Sequence, residues 1–207
     1  MRDFCLKRIL IIKLENKNMI EVEIRGELTK DKFEELNKFF SENGKLLEVQ
    51  DREMILLRDT PKYNDDPTLR EVDIRIRRTN GETEIMIKEM KSENNVARSE
   101  HAFQLGNLEL EEAKKLVKYF GSQKGQWMHR KKKVYFYNDV HWSLVEAVPG
   151  IYYFEAELEV GKESEIEKAN QKLKEVVASL NLNVMSSEDY KIFIKMLGEK
   201  VNKFIEW

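Results

Sequence analysis

Apolar and polar positions alternate along much of this chain with a period of two, and the exceptions are spaced as helices. Ile20, Val22 and Ile24 alternate with Glu21, Glu23 and Arg25, so residues 20–26 predict a strand with one apolar and one charged face. Thr29 stands where a side-chain oxygen caps a helix, Phe33, Leu36, Phe39 and Phe40 form a stripe through 30–43, and Gly44 stops it. Residues 45–59 predict one long strand or two with a bend, and 60–69 a loop holding Pro61 and Pro67. Strands over 71–79 and 82–90 flank Asn80-Gly81, a type I′ hairpin signal, and a further strand covers 97–105.

A helix over 109–121 turns Leu110, Ala113, Leu116, Val117 and Phe120 inward. Strands over 126–137, 140–148 and 151–160 follow, the first two joined at Asn138-Asp139. Two helices close the chain, over 163–180 and 187–204, the second with Tyr190, Phe193, Ile194 and Leu197 at helical spacing. Eight or so antiparallel strands with a few helices predict an α+β fold, its sheet curved or closed into a barrel. Residues 1–18 carry no clear period, and Met19 directly precedes the first patterned segment. They read either as an extension before the natural start or as an extra edge strand. Residues 19–207 then form a single domain with C-terminal helices from about 163.

Charge changes this picture through position rather than total. The 207 residues hold 36 basic and 38 acidic side chains, a net charge of -2, which excludes a basic nucleic-acid coat and an acidic disordered chain. One cysteine, Cys5, excludes an intrachain disulfide, a CxxC motif and a zinc knuckle, and favours a reducing, cytoplasmic setting. No apolar run approaches the roughly 20 residues of a membrane span. His101, His129 and His141 lack metal-ligand spacing, Ser143 lacks the company of a hydrolase triad, and no Walker or dinucleotide glycine motif occurs.

The charges collect on one face of strand after strand: Glu21, Glu23 and Arg25; Asp73, Arg75 and Arg77; Glu84 and Lys88; Arg98 and Glu100; Arg130 and Lys132; Glu155, Glu157 and Glu159. Two readings remain open. The face is the wet side of an ordinary sheet, or it is concave and encloses a ligand. In a cavity, Arg and Lys would grip an anion rich in oxygens, while glutamates would hold a hard divalent cation.

Glu21-Val22-Glu23-Ile24-Arg25 resembles the Glu-x-Glu-x-Lys opening of the CYTH family, the triphosphate tunnel metalloenzymes. Later motifs come in the matching order: Arg75-x-Arg77, Lys88, Arg98-x-Glu100, Arg130-x-Lys132 and Glu155-x-Glu157. The resemblance implies an eight-stranded antiparallel tunnel that binds a triphosphate compound with Mg²⁺ or Mn²⁺. It implies a catalytic opening motif of Glu21, Glu23 and Arg25, and metal ligands Glu21, Glu23, Glu155 and Glu157, with Glu100 contributing. Arg75, Arg77, Lys88, Arg98, Arg130 and Lys132 would contact phosphate.

The expected partner is thus a triphosphate-containing small molecule, not a membrane or a specific nucleic acid, and oligomeric state is left open. Hydrolysis of the triphosphate, cyclisation of ATP with loss of pyrophosphate, and polyphosphate binding without turnover are all compatible with this set. Three departures stand out. Arg25 replaces a lysine and cannot lose its proton near neutrality. Val145, with Glu146 beside it, occupies the place of an aspartate, and the glycine-rich approach to the last Glu-x-Glu strand is reduced to Pro149-Gly150.

Overall fold

The computed structural model of the chain describes residues 19–91 and 97–207. The extension or edge strand expected before Met19 lies outside them. Among the described residues, nine strands and four α-helices follow one another as β1 (Ile20–Leu28), α1 (Lys30–Asn43), β2 (Lys45–Leu57), β3 (Val72–Thr79), β4 (Glu82–Met90), β5 (Ala97–Gly106), α2 (Leu110–Tyr119), β6 (Lys124–Tyr137), β7 (Val140–Ala147), β8 (Ile151–Val160), α3 (Ile166–Ser179), α4 (Ser187–Lys200) and β9 (Lys203–Glu206).

The strands pair antiparallel in the order β2-β3-β4-β5-β1-β8-β7-β6, and β2 pairs with β6, so eight strands form a closed ring. Local chemistry sets the corners. Thr29 accepts a hydrogen bond from the Lys32 amide at the start of α1. Asn80-Gly81 and Asn138-Asp139 turn with positive φ at both positions, the geometry that matches strand twist.

The period-two pattern divides the ring into an inside and an outside. Outward-facing Val22, Ile24, Trp142, Leu144, Phe154 and Ala156 are buried under α1 and α3 in the largest apolar cluster. Ile55, Ile76 and Ile74 pack beneath α2. The charged faces turn inward. At one end, α4 lays Phe193 and Leu197 on the inward-facing Val145, Ala147 and Tyr153 and covers the interior there.

The C-terminus departs from expectation. The spacing of Val201 and Phe204 extends the helical stripe, but α4 ends at Lys200. Lys203–Glu206 instead pair with Lys124–Trp127 of β6, on the stretch that β7, paired from Arg130 onward, does not reach. The backbone groups on that edge need partners, and a short strand satisfies them better than another helical turn.

One seam of the ring is short. β1 meets β8 through nine residue pairs but β5 through three, Ile20↔Ser99, Glu21↔Arg98 and Val22↔Ala97. Beyond it, the segment before α4 crosses β1, and the Met185 amide donates to the Arg25 carbonyl at 2.8 Å. Gly26 permits this approach: a Cβ there would collide with the Asn183 carbonyl and the Phe154 ring.

Candidate functional site

The ring encloses a cavity of about 280 Å³. Because side chains two apart share a face, β1 supplies Glu21, Glu23 and Arg25, β3 Arg75 and Arg77, β4 Lys88, β5 Glu100, β6 Arg130 and Lys132, and β8 Glu155 and Glu157. Of the metal and phosphate residues that the resemblance implied, Arg98 alone is absent from this lining; of the other charged-face residues, Asp73, Glu84 and Glu159 are absent too. The Arg98 guanidinium lies 3.4 Å from Asp73, also on the inward side. The cavity reading of the charged faces therefore replaces the wet-sheet reading.

Two kinds of carboxylate coexist here. Glu155 lies 2.6 Å from the Lys132 amine and 3.6 Å from Arg25. Burial alone would raise its pKa, but Lys132 and Arg25 outweigh burial and hold it down at about 2. Glu100 is similarly held low, against burial, by its ion pair with Lys88. By contrast, Glu21, Glu23 and Glu157 bring carboxylate oxygens within 4.8 Å of one another.

Burial pushes Glu23 up to about 7 despite Arg25 at 2.5 Å, and one of its oxygens, Oε1, has no partner. Glu21 is raised well above the usual range by burial and by Glu157, although Lys88 lies 3.2 Å away. Three hard oxygen donors, one of them orphaned, converging with insufficient positive charge could hold a divalent cation. Glu155 and Glu100 pair with cationic side chains in the same cavity and stand outside this three-carboxylate cluster.

The basic side chains are held rather than free-swinging. Asp73, 1% exposed, takes two hydrogen bonds from Arg75, at 2.8 and 2.6 Å, and also faces Arg70 at 3.5 Å. Arg77 pairs with Glu84 at 2.5 Å. Arg130 is more committed than its motif suggests, donating to the His129 carbonyl and to Asn202 Oδ1, each at 2.8 Å. It therefore ties β6 to the segment that leads into β9.

The CYTH domain model matches residues 19–188. The chain belongs to the CYTH family. A comparison with the curated proteins returns no match. Among solved structures, a conserved hypothetical protein from Pyrococcus furiosus is 23% identical, with a TM-score of 0.66 over 80% of this chain and 94% of that one. PH1819 from Pyrococcus horikoshii OT3 is 21% identical, with a TM-score of 0.68 over 85% and 99%. HpAC1 from Hippeastrum, described by its dominant triphosphatase activity, is 16% identical, with a TM-score of 0.57 over 86% and 96%.

Beyond the motif positions, this CYTH domain lines its interior with Glu48, Gln50 and Arg52 of β2 and Tyr153, which the sequence did not single out, and with Ser143 and Tyr190, which it did not place inward. Burial and the neighbouring Arg77 push Arg52 down to about 10, a sign of crowded positive charge that an anion would relieve. Arg25 sits beneath the Tyr190 ring, 5.1 Å from its centroid, and between Glu23 and Glu155. Its guanidinium thus contacts two carboxylates at once, and an arginine keeps its proton near neutral pH. Val145, at the aspartate's place, is buried against α4, so that corner is apolar and adds no ligand.

Proposed function

We propose that this CYTH domain hydrolyses a triphosphate compound in the ring cavity with Mg²⁺ or Mn²⁺. The observation that carries this reading is the side-by-side placement of the Glu21, Glu23 and Glu157 oxygens and of a basic wall containing Arg52, Arg75, Arg77, Lys88 and Lys132. The three glutamates would hold the cation, whose chemistry is neutralisation of charge along the phosphate chain. The guanidiniums present fixed forks to phosphate oxygens, and ion pairs with Asp73 and Glu84 keep Arg75 and Arg77 aimed before substrate arrives. Lys88 and Lys132 add point charges to stabilise the departing phosphate. Arg25 keeps Glu23 and Glu155 in position. Water is the acceptor, and no side chain of the cavity is arranged as a covalent nucleophile among the described residues. The activity described for the Hippeastrum neighbour is consistent with this chemistry.

The test is a panel of inorganic, nucleoside and thiamine triphosphates with Mg²⁺ or Mn²⁺, scored for orthophosphate and cyclic nucleotide. Orthophosphate without cyclic nucleotide is expected. Cyclic AMP and pyrophosphate from ATP would replace hydrolysis by cyclisation, and tight binding without product would leave a binding module.

A further inference from the structure

A second cavity, of about 470 Å³, opens beside the first where the short β5–β1 seam ends, and the two share Glu23, Arg25 and Tyr190. Its remaining wall comes from Ile24, Thr68, Asn170 and Lys174 of α3, and the Val184–Ser187 approach to α4. This size falls within the roughly 300–1,000 Å³ of small-molecule sites, and the mixture of apolar surface and a few polar groups is typical of them. Asn170 supplies an independent sign of a ligand. It is 8% exposed, lines the cavity, and its Oδ1 has no hydrogen-bond partner. Buried polar atoms without partners are rare, and an amide offers both a donor and an acceptor.

We propose that this side cavity receives the organic group of a triphosphate ester whose phosphate chain lies in the ring, and that the group is neutral and nucleoside-sized. The inference rests on the phosphate-binding reading of the ring. Ile24, Val184 and Met185 give a planar heterocycle an apolar surface, while Asn170, Thr68, Ser186 and Ser187 meet base or sugar edges. Among the described residues that line only this cavity, Lys174 carries the sole charge, and it is positive. A cationic group such as a thiazolium is therefore disfavoured. Sharing Glu23 and Arg25 puts the organic group next to the opening motif, so the ester bond lies at the junction and the terminal phosphate deeper in the ring.

Calorimetric titration in Mg²⁺ with inorganic triphosphate, the β,γ-imido analogue of ATP and thiamine triphosphate tests this by binding alone. The ATP analogue is expected to bind at least tenfold tighter than inorganic triphosphate and tighter than thiamine triphosphate. Ser187→Trp, at an exposed position on the cavity rim, should reduce affinity for the analogue about tenfold, and Asn170→Ala about threefold. Both should leave inorganic triphosphate within twofold. Asn170→Ala removes an unpartnered buried oxygen, so its Tm should hold, and it keeps the test decisive if Ser187→Trp does not fold. Equal affinities for the analogue and inorganic triphosphate, variants that weaken both ligands alike or neither, or a preference for thiamine triphosphate would overturn the side-cavity assignment while sparing the ring. Failure of all three ligands to bind the parent protein would overturn the ring reading itself.

Discussion

Asp73 and Glu23 are both carboxylates on inward faces of the same ring, 1% and 8% exposed, yet their protonation is pushed in opposite directions. Burial raises both. Around Asp73 it is outweighed by three guanidiniums, Arg75, Arg98 and Arg70, which hold the carboxyl far below its usual range. Around Glu23, Arg25 and more weakly Lys88 favour ionisation, but Glu155 and Glu157 oppose it, and burial wins. Burial therefore does not decide what an acid does inside this ring; the balance of neighbouring charge does. The Asp73 carboxylate is more than compensated by its three guanidiniums and organises them. The Glu21–Glu23–Glu157 side is short of positive charge, which a divalent ion can supply.

The strongest way to break the comparison is Asp73→Asn. Removing the charge leaves three closely held guanidiniums without their shared partner, and stability should fall by about 3–5 kcal/mol, the cost of stranding buried charge. Urea denaturation of the apo protein measures it. A loss below about 1 kcal/mol would mean that water reaches those arginines and that the two sides differ less than their contacts indicate.

Glu23→Gln and Glu21→Gln probe the opposite side. Each replaces a carboxyl that burial already favours in its neutral form, so apo stability should stay within about 1 kcal/mol of the parent near pH 5 and exceed it at neutral pH, where the unfolded parent ionises these groups. The Mn²⁺-dependent gain should vanish instead, about 2.7 kcal/mol at a hundredfold excess over Kd in the parent protein. Thermal melts with and without Mn²⁺ or chelator separate the outcomes. Unfolding of both variants, or a parent protein indifferent to metal, would remove the cation from this side.

The next contrast is between the inner and outer faces of the ring. Arg77 lines the cavity, whereas the Lys133 amine reaches Asn37 on α1, outside. Arg77→Ala should weaken inorganic triphosphate binding by about 1.5–3 kcal/mol, a charge-assisted contact, and Lys133→Ala by only a few tenths. Comparable losses from both would mean that the faces are misassigned.

How much of this was legible depended on contrast between adjacent residues. β1 was readable because Ile20, Val22 and Ile24 are unmistakably apolar beside Glu21, Glu23 and Arg25. In β2, the inward Glu48, Gln50 and Arg52 alternate with Val49, Asp51 and Glu53, so two polar neighbours blur the period and Arg52 went unassigned. Asp73 was placed on the charged face, but no sequence rule shows that Arg70 and Arg98 converge on it from a loop and another strand. The α4 stripe of Tyr190, Phe193, Ile194 and Leu197 was plain, yet periodicity does not say that it faces the inside of a ring. β9 was lost because four residues spaced like a helix end were judged without the open edge of β6 that recruits them. The side cavity left no trace, since Ile24, Asn170 and Ser187 meet only through the fold.

Counted per pH unit, the smallest predicted effect is also the most direct measure of Glu23's surroundings. Its pKa is about 7 in the folded chain against an ordinary 4.5, so between those values the folded protein holds more proton than the unfolded one. Stability from this group is therefore complete below about pH 4.5 and is lost as pH rises through 7, with a slope of at most about 1.4 kcal/mol per pH unit. Glu155, held at about 2, works in the other direction: its contribution is present above 4.5 and is lost as pH falls toward 2. Between pH 5 and 7.5, Glu155 is ionised in both states, and Glu23, with the raised Glu21 beside it, gives the apo protein a downward slope. A cation must displace those protons, so Mn²⁺-induced stabilisation should grow with pH over the same window. Urea titrations at half-unit steps, with and without Mn²⁺, measure both trends, and Glu23→Gln should reduce them to the part that Glu21 supplies. An apo slope unchanged by Glu23→Gln would show that Glu23 is ionised throughout and that Arg25 alone satisfies it, erasing its difference from Asp73.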